Sequence, residues 1–367
     1  RRVLFRSQSW TVPGSRIHTW ISFRVTGNGA LVPVARAAGL DAQLAEWGAL
    51  IARPPVNASY LFDRNNAIVG ANASQDGRAL DVAGTITAID DALARRIAGQ
   101  AVRTVAAPIV LTKPEVTTET VAASAPLMQK LSEWTTYFPI SDRNGYGANI
   151  WIPAMDLDGM VLKAGAWFDF WKAIGPVARE RGYMDGGAII NGHTEPTGAL
   201  AGGICSASTT VFNAALRAGL RMGARQNHYY YINRYPVGLD ATVWQSSDGS
   251  TQSMTFQNNT AHPILIRAYK IKNGSAGYVK VELYGVPDGR TVAIDPEIVK
   301  NVQPAIDTVQ YSTTLPAGTT QRTETPTDGM DVWRTVTVKD VGGGVMYSTT
   351  YYSHYARIDG ITLIGTG

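Results

Sequence analysis

The sequence predicts an α+β protein, and three observations carry that reading. Two stretches near the N-terminus space their apolar residues at helical intervals, with strand-like runs between and after them. A further helical pattern follows the run AGGIC in the middle of the chain. From AYKIKNGSAGYVKVELYG onward, apolar and polar residues alternate in hairpin-like pairs. Hydrophobic residues make up 45% of the 367 and charged residues 17%, which supports packed cores and excludes disordered, collagen-like and coiled-coil classes. The length allows two or three domains. They are drawn as an N-terminal module at 27–118, a central domain at 126–290 and a β-rich extension at 291–367 packed on the central domain.

The elements follow in order. DAQLAEWGALIAR places Asp41 as helix N-cap and Leu44, Trp47 and Ile51 on one face. ASYLFDRNNAIVGANA reads as two short strands about an Arg-Asn-Asn turn. TITAIDDALARRIAG lines up Ile86, Ile89, Leu93 and Ile97 and stops at Gly99. VRTVAAPIVLTKPEV is a strand, and the aperiodic TTETVAAS a linker. Further on, AYKIKNGSAGYVKVELYG turns at Asn273-Gly274, with Val279, Val281 and Leu283 alternating with Lys280 and Glu282. WRTVTVKDVGGGVMYSTTYY is a second hairpin, and YARIDGITLIG a final sheet strand.

The single cysteine, Cys205, allows two readings. A free Cys is usually a small buried hydrophobe. Here, however, Gly202 and Gly203 permit a close backbone approach, and Ser206, Ser208, Thr209 and Thr210 suit a first helical turn. Val211, Phe212, Ala215, Leu216 and Leu220 then recur at helical spacing, and Gly219 is expected to fray or end the helix. Cys205 therefore stands at a helix N-terminus, where the dipole favours a thiolate and the free amides suit an oxyanion. A nucleophilic thiol needs a base. Of five histidines, His193 lies on a Gly/Pro-rich loop close in sequence, and His228 leads into a Tyr-rich strand after the helix. Asp240, in VGLDATVW, is either the residue that orients the imidazole or a turn residue before a strand.

These motifs together resemble the VanW-domain family. AGGICSASTTVFNAALRAGL, the His of ARQNHYYY and YPVGLDATVW are similar to its Gly-rich Cys run, its His and its Gly-Leu-Asp-Ala-Thr-Val segment. DRNGYGANI matches through Arg143 and Asn149, and KAGAWFDFWKAIGP matches a segment in which Ala166 replaces an acid and Asp169 a Ser. RGYMDGGAIINGH is similar to the strand that follows. Ala201 and Ser206 stand where the family usually has Gly and Gln. The N-terminal GRALDVAGTITAIDDAL resembles a peptidoglycan-binding domain often found before VanW domains.

The resemblance implies a bacterial, extracytoplasmic cell-wall protein, from a family named for glycopeptide-resistance clusters. Its activity would be that of a cysteine-dependent L,D-transpeptidase acting on peptidoglycan stem peptides. The catalytic residues would be Cys205, His228 and Asp240, and Gly202, Gly203, Ser206, Ser208 and Thr209 would shape the oxyanion and substrate site. No metal or organic cofactor is called for. The alternatives are a hydrolase using the same Cys and a non-catalytic peptidoglycan- or glycopeptide-binding accessory protein. Net charge is +4, without a Lys/Arg-rich run or an interleaved aromatic-basic patch, so no nucleic-acid partner is expected. No apolar run approaches the ~18 residues of a membrane span. The opening RRVLFRSQSW lacks Met and a signal-peptide pattern, so any anchor or signal is expected upstream.

Overall fold

The structure, a computed structural model of the chain, describes residues 8–141, 145–190, 192–246 and 248–367. Helices and strands are mixed throughout, and the fold class is α+β. The chain divides into two compact units, Arg1–Ala58 with Ala73–Glu115, and Ser59–Asn72 with Val116–Gly367.

The first unit packs two helices, Asp41–Ile51 and Val82–Ile97, around buried Trp20, Leu40, Leu44, Leu80 and Leu93. The predicted stripe holds for Ile86, Ile89 and Leu93, whereas Ile97 lies exposed at the end of its helix. Asp81 caps that helix, its carboxylate accepting the Gly84 N–H at 2.8 Å, and Gly99 follows it at φ +84°. Asp41 is not the N-cap that the sequence suggested. Gly39 turns the chain at φ +66°, and the Leu40 carbonyl already accepts the Leu44 N–H at 2.8 Å. Leu40 thus takes the cap position, and Asp41 is the first helical residue.

The second unit begins with the hairpin Ser59–Phe62/Ile68–Asn72, whose Tyr60 hydroxyl bonds Ser124 Oγ at 2.7 Å. The expected linker TTETVAAS is a helix, Thr118–Ser124. Thr117 caps it through the Thr120 N–H, and Val121 is fully buried, so tertiary burial overrides a weak helical signal.

A four-stranded antiparallel sheet forms the centre of this unit, in the order Gln129–Pro139, Ala276–Gly285, Ile264–Asn273, Val161–Leu162. The long hairpin closes where expected, with Asn273 paired to Ala276 and Gly274 at φ +60°. Val279, Val281 and Leu283 point into the core, as the alternation required. There they join Phe138 and Ile150 with Val211, Phe212 and Ala215 of the helix Cys205–Arg217. Polar contacts set this helix against the first strand: Ser132 Oγ donates to the Ala214 carbonyl, and Thr210 Oγ1 to Thr136 Oγ1, each at 2.7 Å. The C-terminal hairpin Gly329–Lys339/Val345–Tyr355 forms as predicted, and Gly360–Gly365 lies between two further strands.

Two local expectations change. His193 opens a strand, His193–Leu200, paired with Asp185–Ile190, rather than a loop. Residues 225–243 form no strand. They run as turns, with Tyr235 N–H to the Ile232 carbonyl and Leu239 N–H to the Pro236 carbonyl, each 3.0 Å. Pro236 lacks a ladder donor, and side chains take several polar groups of this segment.

Candidate active site

Three elements meet at the cysteine: the turn 201–204, the helix it feeds, and the irregular segment 225–243. The turn is tight because its glycines allow it. A Cβ on Gly202 would come within 2.2 Å of the Gly186 carbonyl carbon. Gly203, at φ +95°, has the Tyr146 ring where its own Cβ would lie. Buried Asn149 fastens the turn from the side, donating to the Met184 and Gly202 carbonyls at 2.9 Å and accepting the Met184 N–H. Its companion in the resemblance, Arg143, lies outside the described residues. Ala201 adopts φ +62°, the left-handed conformation that the family's usual Gly reaches without strain.

Cys205 is the first residue of a 13-residue helix and is half-buried. Its Sγ lies 3.5 Å from both the Val243 N–H donor and Thr242 Oγ1. His228 is the neighbour with the largest favourable influence on its charge. The imidazole is buried, with Nδ1 2.5 Å from Asp240 Oδ2, which also accepts the His228 backbone N–H at 2.7 Å. Asp240 is buried too, and its other oxygen accepts from Tyr355 Oη at 2.5 Å and Arg225 Nη2 at 3.0 Å. The structure therefore brings Cys205, His228 and Asp240 together in that order, the arrangement a thiol, base and orienting acid would need. It leaves His193 apart: exposed, with Nδ1 3.5 Å from Glu324 Oε1.

The charges follow from these contacts. Burial pushes the Cys205 thiol up, but the hydrogen bond and positive charge of His228, with Thr242 and the Val243 amide, bring it below its ordinary value. Burial opposes charge on His228, yet its bonds to Asp240 and Cys205 raise it to about 9. For Asp240, burial is outweighed by His228, Arg225 and Tyr355, and the carboxyl falls to about 2. The contacts thus favour charge on all three groups: the thiol is more acidic than usual, the imidazole more basic and the carboxyl more acidic.

Of the hydroxyls proposed for substrate contact, those of Ser206 and Thr209 are otherwise engaged and that of Ser208 is enclosed. Ser206 is buried, with Oγ 2.8 Å from the Tyr235 hydroxyl and its amide given to the Gly203 carbonyl at 3.0 Å. Thr209 Oγ1 accepts the Ala241 N–H at 3.0 Å and so clamps the segment that carries Asp240. Ser208 is fully buried, and its hydroxyl has no hydrogen-bond partner among the described residues. Asp169, the replacement for a family Ser, caps the helix Phe170–Ile174 by accepting the Lys172 N–H, a role either residue type fills.

Sequence reasoning missed Arg225, Tyr355, Tyr235, Arg234 and Tyr146. None carries a local signal. Arg225 and Tyr355 stand 15 and 115 residues from the Asp240 they support. Among the described residues, no group of three or more His, Cys, Asp or Glu side chains is placed to hold a metal ion, and no helix is long and apolar enough to cross a membrane.

A helix-borne thiol with a His–Asp pair behind it is a geometry that nucleophilic thiol chemistry can use. Residues 145–284, which contain all three side chains, match the family described as VanW like protein, and over this stretch the chain is VanW-like. It is 37% identical over 141 residues to the uncharacterized protein YoaR of Bacillus subtilis (strain 168), covering 38% of this chain and 44% of that protein. It is 28% identical over 102 residues to the vancomycin B-type resistance protein VanW of Enterococcus faecalis (strain ATCC 700802 / V583), covering 26% and 36%. The chain thus spans less than half the length of either relative. The crystal structure of HP0197-G5 aligns with 21% of this chain and 97% of its own at 19% identity, with a TM-score of 0.12, too low to bear on the fold.

Proposed function

We propose that this chain is a cysteine-dependent acyltransferase of the bacterial cell envelope, an L,D-transpeptidase that forms 3-3 peptidoglycan cross-links. The observation that carries this reading is the Cys205 thiol at a helix N-terminus, beside a His228 that favours its charge and is held by Asp240. The likeness to a protein named for vancomycin resistance supports the cell-wall setting.

In the first transfer, the Cys205 thiolate attacks the carbonyl carbon of the third residue of a tetrapeptide stem. The Sγ–C bond forms, the C–N bond to the terminal D-Ala breaks, and the His228 imidazolium gives its proton to the departing amine. The helix N-terminus favours the negative charge of the tetrahedral intermediate. In the second transfer, the side-chain amine of another stem attacks the thioester. The C–N bond forms, the C–S bond breaks, and His228 takes the amine's proton.

Mass spectrometry of the protein incubated with a tetrapeptide stem tests this reading. The expected result is a thioester on Cys205, a cross-linked product when an acceptor amine is present, and neither in Cys205→Ser. Release of free tripeptide with no cross-link assigns a hydrolase instead. Absence of any adduct on a folded protein that still binds the peptide assigns a binding role.

A further inference from the structure

We propose that Arg234, set between Tyr146 and Tyr235, is a carboxylate-binding residue beside Cys205 that selects peptide donors with a free C-terminal carboxylate. The inference rests on the acyl-transfer reading and names the substrate class of that site.

Both rings against Arg234 abut the reacting residues. Its guanidinium carbon lies 4.9 Å from the Tyr235 ring centre and 5.5 Å from that of Tyr146. Nη2 donates to the Tyr235 hydroxyl at 3.3 Å, which in turn bonds Ser206 Oγ, next to Cys205, at 2.8 Å. The Tyr235 ring also packs 5.1 Å from the His228 ring. On the other side, Tyr146 presses on Gly203, two residues before the nucleophile.

Among the described residues the two tyrosine hydroxyls bond Arg234, but no carboxylate answers its charge. It is half-buried, it forms no ion pair among the described residues, and its buried Nε has no hydrogen-bond acceptor. Arg225 shows the contrast: its guanidinium is committed to Asp240, Gly238 and Ser353. A partly desolvated cation without a counter-ion is costly to hold, and a guanidinium's planar fork fits a carboxylate in two parallel bonds. In the proposed reaction the leaving D-Ala carries just such a group, one residue beyond the carbonyl that Cys205 attacks. Arg234 would fix that end of the donor and restrict the enzyme to chain termini.

The test compares a tetrapeptide with its C-terminal amide. Acylation of Cys205 is followed by mass spectrometry, and binding to Cys205→Ser by calorimetry. The acid is expected to acylate and bind about 10- to 100-fold better than the amide. Arg234→Gln should erase that ratio by weakening the acid alone, and Arg234→Lys should restore part of it. Iodoacetamide alkylation of Cys205 should proceed at the wild-type rate in Arg234→Gln. Equal rates and equal affinities for acid and amide overturn the carboxylate site and leave acyl transfer standing. A binding preference for the acid without any acylation overturns acyl transfer and keeps the site. Alkylation slowed in Arg234→Gln as much as acylation makes Arg234 a support for the thiol and overturns its role toward substrate.

Discussion

The Tyr355 hydroxyl donates to Asp240 Oδ1 at 2.5 Å, tying the buried carboxylate behind His228 to the C-terminal hairpin. Tyr355→Phe removes one donor from a buried, charged acceptor while Arg225 remains. The expected cost is about 1–3 kcal/mol of folding stability, read as a lower denaturant midpoint at unchanged slope. An unaltered midpoint would show that the contact adds nothing.

His228→Ala should slow Cys205 acylation by about 10²-fold or more, since it removes the base and the positive charge that holds the thiol down. Iodoacetamide alkylation near pH 7 should fall with it, because the thiol returns toward its ordinary range. His193→Ala should leave both rates near wild type, as that imidazole faces Glu324. A reversed ranking would move the base to the strand His193–Leu200.

The pH dependence has a defined sign. Alkylation of Cys205 should persist below pH 9.0, the thiol's ordinary value, because its folded value lies lower. Acyl transfer should fall as pH rises through about 9, where His228 loses the proton it delivers to the leaving amine. Stability follows the same pair. His228 titrates at about 9 when folded against an ordinary 6.5, so its contribution is complete below 6.5 and is lost as pH rises toward 9. The thiol titrates in part of that window with opposite sign, so the measurement belongs in Cys205→Ser. Asp240 contributes above its ordinary 3.8, and its share is lost as pH falls toward about 2. In Cys205→Ser, His228 keeps its bond to Asp240 but loses the influence of Cys205, so the loss still begins above pH 6.5 and is complete below 9; a denaturant midpoint that stays flat above pH 6.5 would contradict the assignment.

Gly202→Ala should be destabilising by about 1–3 kcal/mol and should slow acylation, because its Cβ would meet backbone rather than a movable side chain. Chemical denaturation and a single-turnover acylation rate check the two effects. Wild-type behaviour in both would mean that the strand at Gly186 yields easily.

Much of the chain was legible locally. Asn273-Gly274, the apolar stripe ending at Gly99 and the alternation around Val281 each encode an element within a few residues, and each formed. The segment 225–243 was misread because aromatic residues favour strands, while the competing turns draw on Pro236 and on the distant side chains that meet it. TTETVAAS was misread because its helical signal is weak and burial of Val121 supplies the rest.

By itself, the sequence determined that Cys205 opens a helix and that two glycines precede it, since helix termini and tight turns depend on neighbouring residues. It also narrowed the base to two histidines. Tertiary structure alone set His228 rather than His193 beside the thiol, drew Asp240 in behind it, and brought Arg225 and Tyr355 to that carboxylate. It also set Arg234 between two tyrosines, without a counter-ion among the described residues. These are meetings of side chains far apart in the chain, and burial and charge pairing, which local spacing does not record, decide them.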